Sequence, residues 1–383
     1  MKTLRGGITS PKGFLAGAVS CGIKRSGRPD LALLFSKSPC VCVGTFTTNR
    51  FRSGSVVLAE EVIRKGRPLQ ALIVNSGNAN CCIGEKELIY AKKITGLTAK
   101  GLGLNKDQVL IASTGIIGRP LPLDKIRKKI RPLIDALKPS GANRFAKAIM
   151  TTDTVHKEIA VEIKIGKNKV RIAGAAKGSG MISPNMATML AFFTTDALVE
   201  KAALRSAFKE CVSGSFNKIT VDGDMSTNDT AIILANGLAG NTPIKRNSGP
   251  YLRFLNALRF ISTELAKRIV LDGEGSTRFV EVIVKGAKDA GQAETIARHV
   301  AGSSLVKTMV AGGDPNWGRV AASIGSSGVT VKVNRVDIYF GKRLVMKNGV
   351  AARVSRSRLL DIFKKKEIFI TIDVKSGKGH SNE

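Results

Sequence analysis

Aromatic residues are scarce in this sequence of 383 residues, at 5% of the total with one tryptophan and three tyrosines. Proteins that bind single-stranded nucleic acids stack successive bases on aromatic side chains. The shortage therefore argues against nucleic-acid binding as the main function. Acidic residues are also few: 61 lysines and arginines face 29 aspartates and glutamates, for a formal net charge of +32. Such an excess attracts polyanions and small anionic substrates alike, so a basic nucleic-acid-binding protein stays as an alternative.

The basic residues are spread along the chain rather than gathered in one arm. The stretch DKIRKKIRPLIDAL at residues 124–137 is an example. Its apolar residues recur at helical spacing and are Ile126, Ile130, Leu133, Ile134 and Leu137. This pattern predicts an amphipathic helix whose lysines and arginines form a solvated face.

Histidine and cysteine are too few and too scattered for the common metal and hydrolase sites. The three histidines, His156, His299 and His380, stand alone. The cysteines show no repeated Cys-x-x-Cys spacing and are Cys21, Cys40, Cys42, Cys81, Cys82 and Cys211. Zinc sites need clustered ligands, and a serine hydrolase needs a Gly-x-Ser-x-Gly elbow with a later histidine. We therefore expect no metal, and reduced cysteines that pack as small core residues.

Long hydrophobic runs are missing as well. The longest apolar runs, such as the one at residues 231–238, fall far short of the ~20 residues that a membrane-spanning helix needs. The first residues, MKTLRGGITSPKGFLAG, contain no apolar segment of the ~7–15 residues found in secretory signals. We therefore expect a cytoplasmic protein with no membrane partner.

Two apolar stretches end in small polar residues and glycine. Residues 72–74 are followed by Asn-Ser-Gly-Asn-Ala-Asn at 75–80, and residues 109–112 are followed by Ser-Thr-Gly at 113–115. Each predicts a buried strand that ends in a loop, where a glycine allows the backbone to approach a ligand closely. A turn without any ligand explains the first loop equally well.

The stretch KGSGMISPNMATMLAFFTTDA at residues 177–197 raises a chemical question, because Thr188 lies in an apolar run with no histidine or aspartate beside it. A threonine hydroxyl needs a base to become a nucleophile. Its own α-amine, with a reference pKa of ~7.7–8.0, is such a base once the Ala187–Thr188 bond is cut. A threonine that simply packs in the core is the plainer structural interpretation.

This stretch resembles the segment that marks the ornithine acetyltransferase (glutamate N-acetyltransferase) family, whose members cut themselves at an Ala-Thr bond. Six further stretches agree with that family in the right order. They are VNSGNAN at 74–80, ASTGIIG at 112–118, IMTTDT at 149–154, TVDGDMSTNDT at 220–230, DGEGSTRF at 272–279 and GGDPNWGRV at 312–320. The resemblance covers nearly the whole chain, and seven ordered matches are far more specific than any one of them.

The resemblance implies a role for individual residues of this sequence. Thr188 is the implied nucleophile, and the bond between Ala187 and Thr188 is the implied cleavage site. Thr114 and Gly115 match the oxyanion hole. The positions that match substrate contacts are Thr151 or Thr152, Lys177, Thr188 and Glu274. Lys177 suits a substrate carboxylate and Glu274 an ornithine amino group.

The same resemblance implies a ping-pong reaction in which Thr188 takes the acetyl group of N-acetylornithine, releases ornithine and passes the acetyl group to glutamate. No cofactor is implied, although acetyl-CoA is a possible further donor. The implied fold is a layered αββα sandwich of the α/β class with mixed sheets, similar to N-terminal-nucleophile enzymes. Residues 1–187 and 188–383 would form one intertwined unit, with two copies of each piece in a heterotetramer.

Two points separate this chain from a simple member of the family. Members usually continue into a C-terminal segment that contributes substrate contacts, and GHSNE at the end of this sequence has no counterpart. We therefore expect either a truncated sequence or a site that closes differently. An N-terminal-nucleophile aminopeptidase or amidohydrolase, which would transfer the acyl group to water, remains the nearest alternative.

Overall fold

The computed structural model describes residues 1–183 and 189–383. Ala187 and Thr188, the predicted cleavage site and nucleophile, lie outside the described residues. The chain divides into two compact units. The larger contains Met1–Asn217 and Asp224–Glu274, and the smaller contains Lys218–Gly223 and Gly275–Glu383.

The described strands are β1 (Lys2–Leu4), β2 (Phe14–Val19), β3 (Leu31–Phe46), β4 (Leu69–Asn78), β5 (Val109–Ile116), β6 (Lys157–Ile165), β7 (Asn168–Lys177), β8 (Leu190–Thr195), β9 (Thr230–Ala235), β10 (Phe279–Ala287), β11 (Asp337–Phe340), β12 (Arg343–Lys347), β13 (Val350–Ala351), β14 (Glu367–Asp373) and β15 (Gly379–Asn382). The described α-helices are α1 (Gly54–Arg64), α2 (Lys86–Leu102), α3 (Leu123–Asp135), α4 (Ala142–Ala148), α5 (Lys201–Ser213), α6 (Gly249–Leu271), α7 (Ala290–Gly302), α8 (Ser304–Gly312), α9 (Trp317–Gly325) and α10 (Arg356–Phe363).

Strand β3 connects two sheets in the larger unit. Its residues 31–35 pair with β2 and β4, whereas its residues 41–46 pair with β9. The strand order is β1-β6-β7-β8-β9-β3-β4-β5, with β2 on the other side of β3. The pairs β8–β9 and β4–β5 are parallel and the remaining pairs are antiparallel. The mixed sheets predicted from the sequence are confirmed.

Neighbouring side chains on β8 show how the layers stack. Phe192 meets Phe145 of α4 edge-on with ring centroids 6.0 Å apart, and Phe193 meets Phe208 of α5 at 5.5 Å. Successive strand residues point to opposite faces, so β8 is covered on both sides. Helices α5 and α6 form one outer layer and α1, α2 and α3 the other. The helix–sheet–sheet–helix order predicted for the fold is confirmed.

Helix α6 approaches the sheet closely because β7 carries a glycine beneath it. A Cβ atom on Gly174 would lie 2.8 Å from Leu265 Cδ1 and 3.1 Å from Ile261 Cγ2 of that helix.

The amphipathic helix predicted around residues 124–137 is present as α3, and Ile126, Ile130 and Leu133 are buried.

The smaller unit has its own sheet, in the order β13-β12-β11-β14-β10-β15. Its buried residues form a separate hydrophobic cluster, in which Phe340 of β11 packs edge-on against Phe363 of α10 at 5.0 Å. Among the described helices of the chain, none is long and apolar enough to cross a membrane.

Replacing Phe193 by alanine tests the packing between β8 and the outer helices. Phe193 is fully buried, so Phe193→Ala should lower the free energy of unfolding by about 3–5 kcal/mol. Phe51 is 72% exposed and serves as the matched control, since Phe51→Ala should change it by less than about 0.5 kcal/mol. Chemical denaturation followed by circular dichroism measures both, and equal effects would contradict the layer assignment.

Candidate functional site

The predicted oxyanion residues lie where β4 and β5 run side by side. The sequence predicts loops from Asn75 and from Ser113, but the two strands continue to Asn78 and Ile116. Parallel pairing is the reason, because it extends through the whole polar stretch. The loop predictions were therefore wrong, and the polar residues are part of the sheet.

Gly115 is required at its position by close contact with the neighbouring strand. It pairs with Gly77 and has a φ of +133°. A Cβ atom on Gly115 would lie 2.3 Å from the carbonyl carbon of Gly77 and 2.4 Å from the nitrogen of Asn78. Any other residue would clash with this backbone and would adopt a strained conformation.

Buried polar side chains hold the ends of β4 and β5 in place through hydrogen bonds. Asn228 donates from Nδ2 to the carbonyl oxygens of Ala79 at 2.7 Å and Ser113 at 2.8 Å. The hydroxyl of Ser113 donates to Asn75 Oδ1 at 2.6 Å and also contacts the hydroxyl of Ser55 at 2.7 Å. Such networks hold backbone donors in place before a ligand arrives.

Lys177, the last residue of β7, connects this strand pair to the other sheet. Its Nζ donates to Thr114 Oγ1 at 3.4 Å, and both residues are buried. Burial lowers the pKa of Lys177, although the carboxyl groups of Asp153, Asp229 and Glu274 partly oppose that shift. Two of the predicted site residues are thus in contact, in a region rich in carboxyl groups.

A fully buried ammonium group lies beneath the predicted substrate-binding segments. Lys157 Nζ donates to Asp153 Oδ1 at 2.8 Å, to the carbonyl oxygen of Val155 at 3.2 Å and to Asp272 Oδ2 at 2.6 Å. An ammonium has three protons, so all of them are used. Burying a charge is costly without such partners, which explains why the lysine joins two carboxylates.

Asp153, which binds Lys157, also binds two segments that contain predicted site residues. Its carboxylate accepts from the Thr151 amide at 3.0 Å and from the Gly178 amide, next to Lys177, at 2.7 Å. Burial alone would raise the pKa of Asp153, but the positive charges of Lys177 and Lys157 lower it. Asp153 is therefore held as a carboxylate.

Asp272, which also binds Lys157, lies in the segment that contains Glu274 and binds two further segments. Its carboxylate accepts from the amide of Thr154 at 3.2 Å, and its carbonyl oxygen accepts from the Ser179 hydroxyl at 2.6 Å. The Glu274 amide donates to the Ser179 carbonyl oxygen at 2.9 Å. The Glu274 carboxylate lies against Gly180, where a Cβ atom would be 2.5 Å from it.

The chain immediately after the predicted nucleophile is held by Asp229. The Met189 amide donates to Asp229 Oδ1 at 2.9 Å, and Asp229 is 1% exposed. Burial raises the pKa of Asp229 well above its ordinary value, against the amide of Met189 and the charge of Lys177, which lower it.

The described site residues form one connected group with one exception. Thr114, Lys177 and Glu274 are linked through the contacts above, and Thr151 is linked through Asp153. Thr152 is exposed and is not part of this group of contacts. Sequence reasoning did not single out the residues that connect the group, which are Asp153, Lys157, Asp229 and Asp272. Their only signal was their presence in or beside the motifs.

In residues 1–183 and 189–383, no group of three or more histidine, cysteine, aspartate or glutamate side chains could hold a metal ion. The fold and the contacts described above define the class of this chain, which is a layered α/β protein with a buried polar site where several central strands end. A sequence model of the ArgJ family matches residues 15–382. The chain belongs to this family, and the resemblance drawn from its seven motifs is confirmed.

The chain is similar to named proteins from several organisms. The arginine biosynthesis bifunctional protein ArgJ of Symbiobacterium thermophilum is 46% identical over 99% of this chain and 94% of its own length. A crystal structure of argJ from Bacillus halodurans is 38% identical, with a TM-score of 0.46 over 48% of this chain and 97% of that one. An ornithine acetyltransferase from Mycobacterium tuberculosis, complexed with ornithine, is 34% identical, with a TM-score of 0.45 over the same shares.

Removing the Lys157 ammonium should damage stability and substrate binding together. Lys157→Met leaves the buried carboxylates of Asp153 and Asp272 without the ammonium group that they share, which costs about 3–5 kcal/mol. We expect a lower melting temperature and a higher KM. Lys169, exposed on β7, is the control, since Lys169→Met removes the same charge at the surface. A Lys157→Met protein as stable as the Lys169→Met protein would contradict the role of this contact.

Replacing Gly115 tests the close approach of the two strands. Gly115→Ala displaces the backbone at the predicted oxyanion hole, where a donor would be worth about 3 kcal/mol, so it should slow the reaction at least about 100-fold. A Cβ atom on Gly96 in α2 would meet no other atom within 4 Å, so Gly96→Ala should leave kcat unchanged. The measurement is kcat for the two variants, and equal values would exclude Gly115 from the oxyanion hole.

Proposed function

We propose that this protein is a self-processing glutamate N-acetyltransferase that moves the acetyl group of N2-acetylornithine to glutamate. Membership of the ArgJ family supports this proposal, as does a similar ornithine acetyltransferase with ornithine bound. The relatives' name, arginine biosynthesis bifunctional protein, supports a second activity, and we propose acetyl-CoA as the second donor for the same site.

The observation that carries the proposal is the surroundings of Met189, the residue that follows Thr188. Its amide binds Asp229, and the next residue, Leu190, pairs with Lys177. Lys177 in turn contacts Thr114. The chain that leaves position 188 therefore enters the sheet beside the residues that match the oxyanion hole and the substrate contacts.

The proposed maturation step cuts the bond between Ala187 and Thr188. The order of the sheet explains why the pieces 1–187 and 188–383 would stay together. Strands β8 and β9 from the second piece lie between β7 and β3 from the first. Separating them would break two rows of backbone hydrogen bonds and expose the buried Phe192 and Phe193. We propose two copies of each piece in the assembled enzyme.

In the proposed transfer, the new α-amine of Thr188 accepts the proton of its own hydroxyl as the oxygen attacks the acetyl carbonyl carbon. Thr114 and Gly115 stabilise the negative oxygen that develops. The amide bond of acetylornithine then breaks, and ornithine leaves with the proton. Glutamate's amine attacks the acetyl-threonine ester by the reverse sequence, which restores the free hydroxyl.

Charge complementarity supports the proposed substrate contacts. The Lys177 ammonium suits the α-carboxylate shared by acetylornithine and glutamate, and Glu274 suits the amino group of ornithine. Thr151 or Thr152 would complete the binding site. None of these steps draws on a cofactor.

The first test of this proposal is the state of the purified chain. Intact mass spectrometry and N-terminal sequencing should show two pieces, the second beginning at Thr188, and Thr188→Ala should remain whole. The cut protein should transfer acetyl from acetylornithine to glutamate faster than to water. An uncut wild-type chain with full transfer activity would overturn the proposal, and faster transfer to water would favour the amidohydrolase alternative.

The proposed carboxylate contact predicts a binding defect. Lys177→Ala should raise KM for acetylornithine about 10- to 100-fold, since a hydrogen bond to a charged group contributes about 1.5–3 kcal/mol. Steady-state kinetics measures this change, with Lys169→Ala on the same strand as the control. A wild-type KM in Lys177→Ala would exclude this contact.

A further inference from the structure

Two adjacent cysteines, Cys81 and Cys82, follow the end of β4 and have no part in the proposed reaction. Their sulfur atoms lie 3.7 Å apart. Cys81 is buried, as the sequence predicts for the cysteines, whereas Cys82 is exposed and departs from that prediction. A pair of thiols in contact, with one member exposed to solvent, is a site that a small reagent can reach.

The contact between the two sulfurs depends on the local backbone. Neighbouring side chains of an extended strand point to opposite faces, which keeps adjacent sulfurs apart. Asn80 and Cys82 both have left-handed backbone conformations, with φ of +51° and +58°. Residues other than glycine seldom adopt this conformation, and it persists only where the surrounding structure enforces it. The sulfur contact is therefore a product of this bend in the chain.

Hydrogen bonds on both sides hold the bend in place. The Asn80 side chain donates to the carbonyl oxygen of Glu87 at 2.9 Å, and the Gly118 amide donates to the carbonyl oxygen of Cys81 at 2.9 Å. The Ile83 amide donates to Glu87 Oε1 at 3.0 Å. Because the backbone is fixed before a reagent arrives, a reaction between the two sulfurs has the advantage of an intramolecular step.

The two thiols have different surroundings, and we expect them to differ in reactivity. Burial raises the pKa of the Cys81 thiol to about 11, against the Thr227 hydroxyl, which lowers it. Thiol–disulfide exchange requires a thiolate that can reach the reagent. Burial therefore protects Cys81 from direct reaction, and the exposed Cys82 reacts first.

We propose that Cys81 and Cys82 are a modification site at which low-molecular-weight disulfides form a reversible disulfide between the two residues. Cys82 Sγ, as a thiolate, attacks one sulfur of the reagent, breaks its S–S bond and releases one small thiol. Cys81 Sγ then attacks the Cys82 sulfur and releases the second small thiol. One S–S bond forms in the protein and one breaks in the reagent. The two protein thiols are oxidised, the reagent is reduced, and the two protons end on the small thiols.

The proposed disulfide is easily reduced because of its position in the sequence. The Cα atoms of adjacent residues are about 3.8 Å apart, whereas most disulfides join Cα atoms about 4.4–6.8 Å apart. A disulfide outside this range is strained and more reducible, and strained disulfides are the labile, regulatory ones. An excess of a small dithiol should therefore restore both thiols.

Closing the disulfide would move Cys81 Sγ away from its present partners. The sulfurs must approach from 3.7 Å to about 2.05 Å, whereas Cys81 Sγ now donates to the Phe51 carbonyl oxygen at 3.4 Å and contacts the Thr227 hydroxyl. Thr227 Oγ1 donates to Asn228 Oδ1 at 2.5 Å, and Asn228 holds the carbonyl oxygen of Ser113. Oxidation should therefore weaken the support of the strand that carries the predicted oxyanion hole.

The test treats the folded protein, whether cut or whole, with oxidised glutathione and follows it by mass spectrometry and peptide mapping. The wild-type peptide that contains both cysteines should lose two hydrogen atoms, and dithiothreitol should reverse this change. Cys81→Ala should instead stop with one glutathione on Cys82, and Cys82→Ala should stay unmodified at Cys81. Cys40→Ala removes another buried thiol and is the matched control, which should behave like the wild-type protein.

Two wild-type results would overturn the proposal, and neither depends on the folding of a variant. One is a peptide that keeps both thiols free, and the other is a peptide that keeps glutathione on Cys82 without closing the disulfide. The same treatment in urea tests the role of the fold. The unfolded chain should close the disulfide to a smaller extent, and equal closure counts against the sulfur contact.

A second readout, kcat for acetyl transfer, rests on the proposed function. Oxidation should lower kcat about 5-fold or more, since a supporting hydrogen bond is weakened, and dithiothreitol should restore it. Cys82→Ala should keep its untreated rate. An unchanged kcat in fully oxidised wild-type protein overturns the link to Asn228 while the disulfide site stands. A protein that transfers no acetyl group before treatment contradicts the proposed function instead, and the mass measurement still decides the disulfide.

Discussion

The fully buried ammonium group of Lys157 is the contact on which the arrangement of the site depends. Through Asp153 it holds the Thr151 amide and the start of the chain beyond Lys177. Through Asp272 it holds the segment that leads to Glu274. Three segments far apart in sequence thus share one buried cation. An unpaired buried charge is much more costly than a paired one. Displacing one segment would therefore also destabilise the other segments that depend on Lys157.

The predicted site residues lie at strand ends because strands from both sheets end near one another. Lys177 ends β7, Met189 precedes β8, Asp229 precedes β9, and Thr114 lies near the end of β5. Parallel pairing of β8 with β9 brings Met189 beside Asp229, and the Lys177–Thr114 contact joins the two sheets. The rigid strands behind these residues fix their backbone, as a preorganised site requires.

The whole protein has an excess of positive charge, whereas the predicted site is rich in carboxyl groups. The sequence carries a net charge of +32, yet Lys177 lies among the carboxyl groups of Asp153, Asp229 and Glu274. Composition describes the surface field that attracts anions. Local pairing and burial decide which site groups are ionised, and composition contains no information about them.

The sequence by itself determined the α/β class, the amphipathic helix at α3 and the family, since periodicity and ordered motifs are local properties of the chain. It failed at the ends of β4 and β5, where polar residues looked like loops but pair within a sheet. Only the tertiary structure decided that Lys157 binds Asp272, 115 positions away, and that Asn228 binds the strand of Ser113. These contacts arise from folding of distant segments, and buried charges are satisfied by whichever partners the fold brings to them.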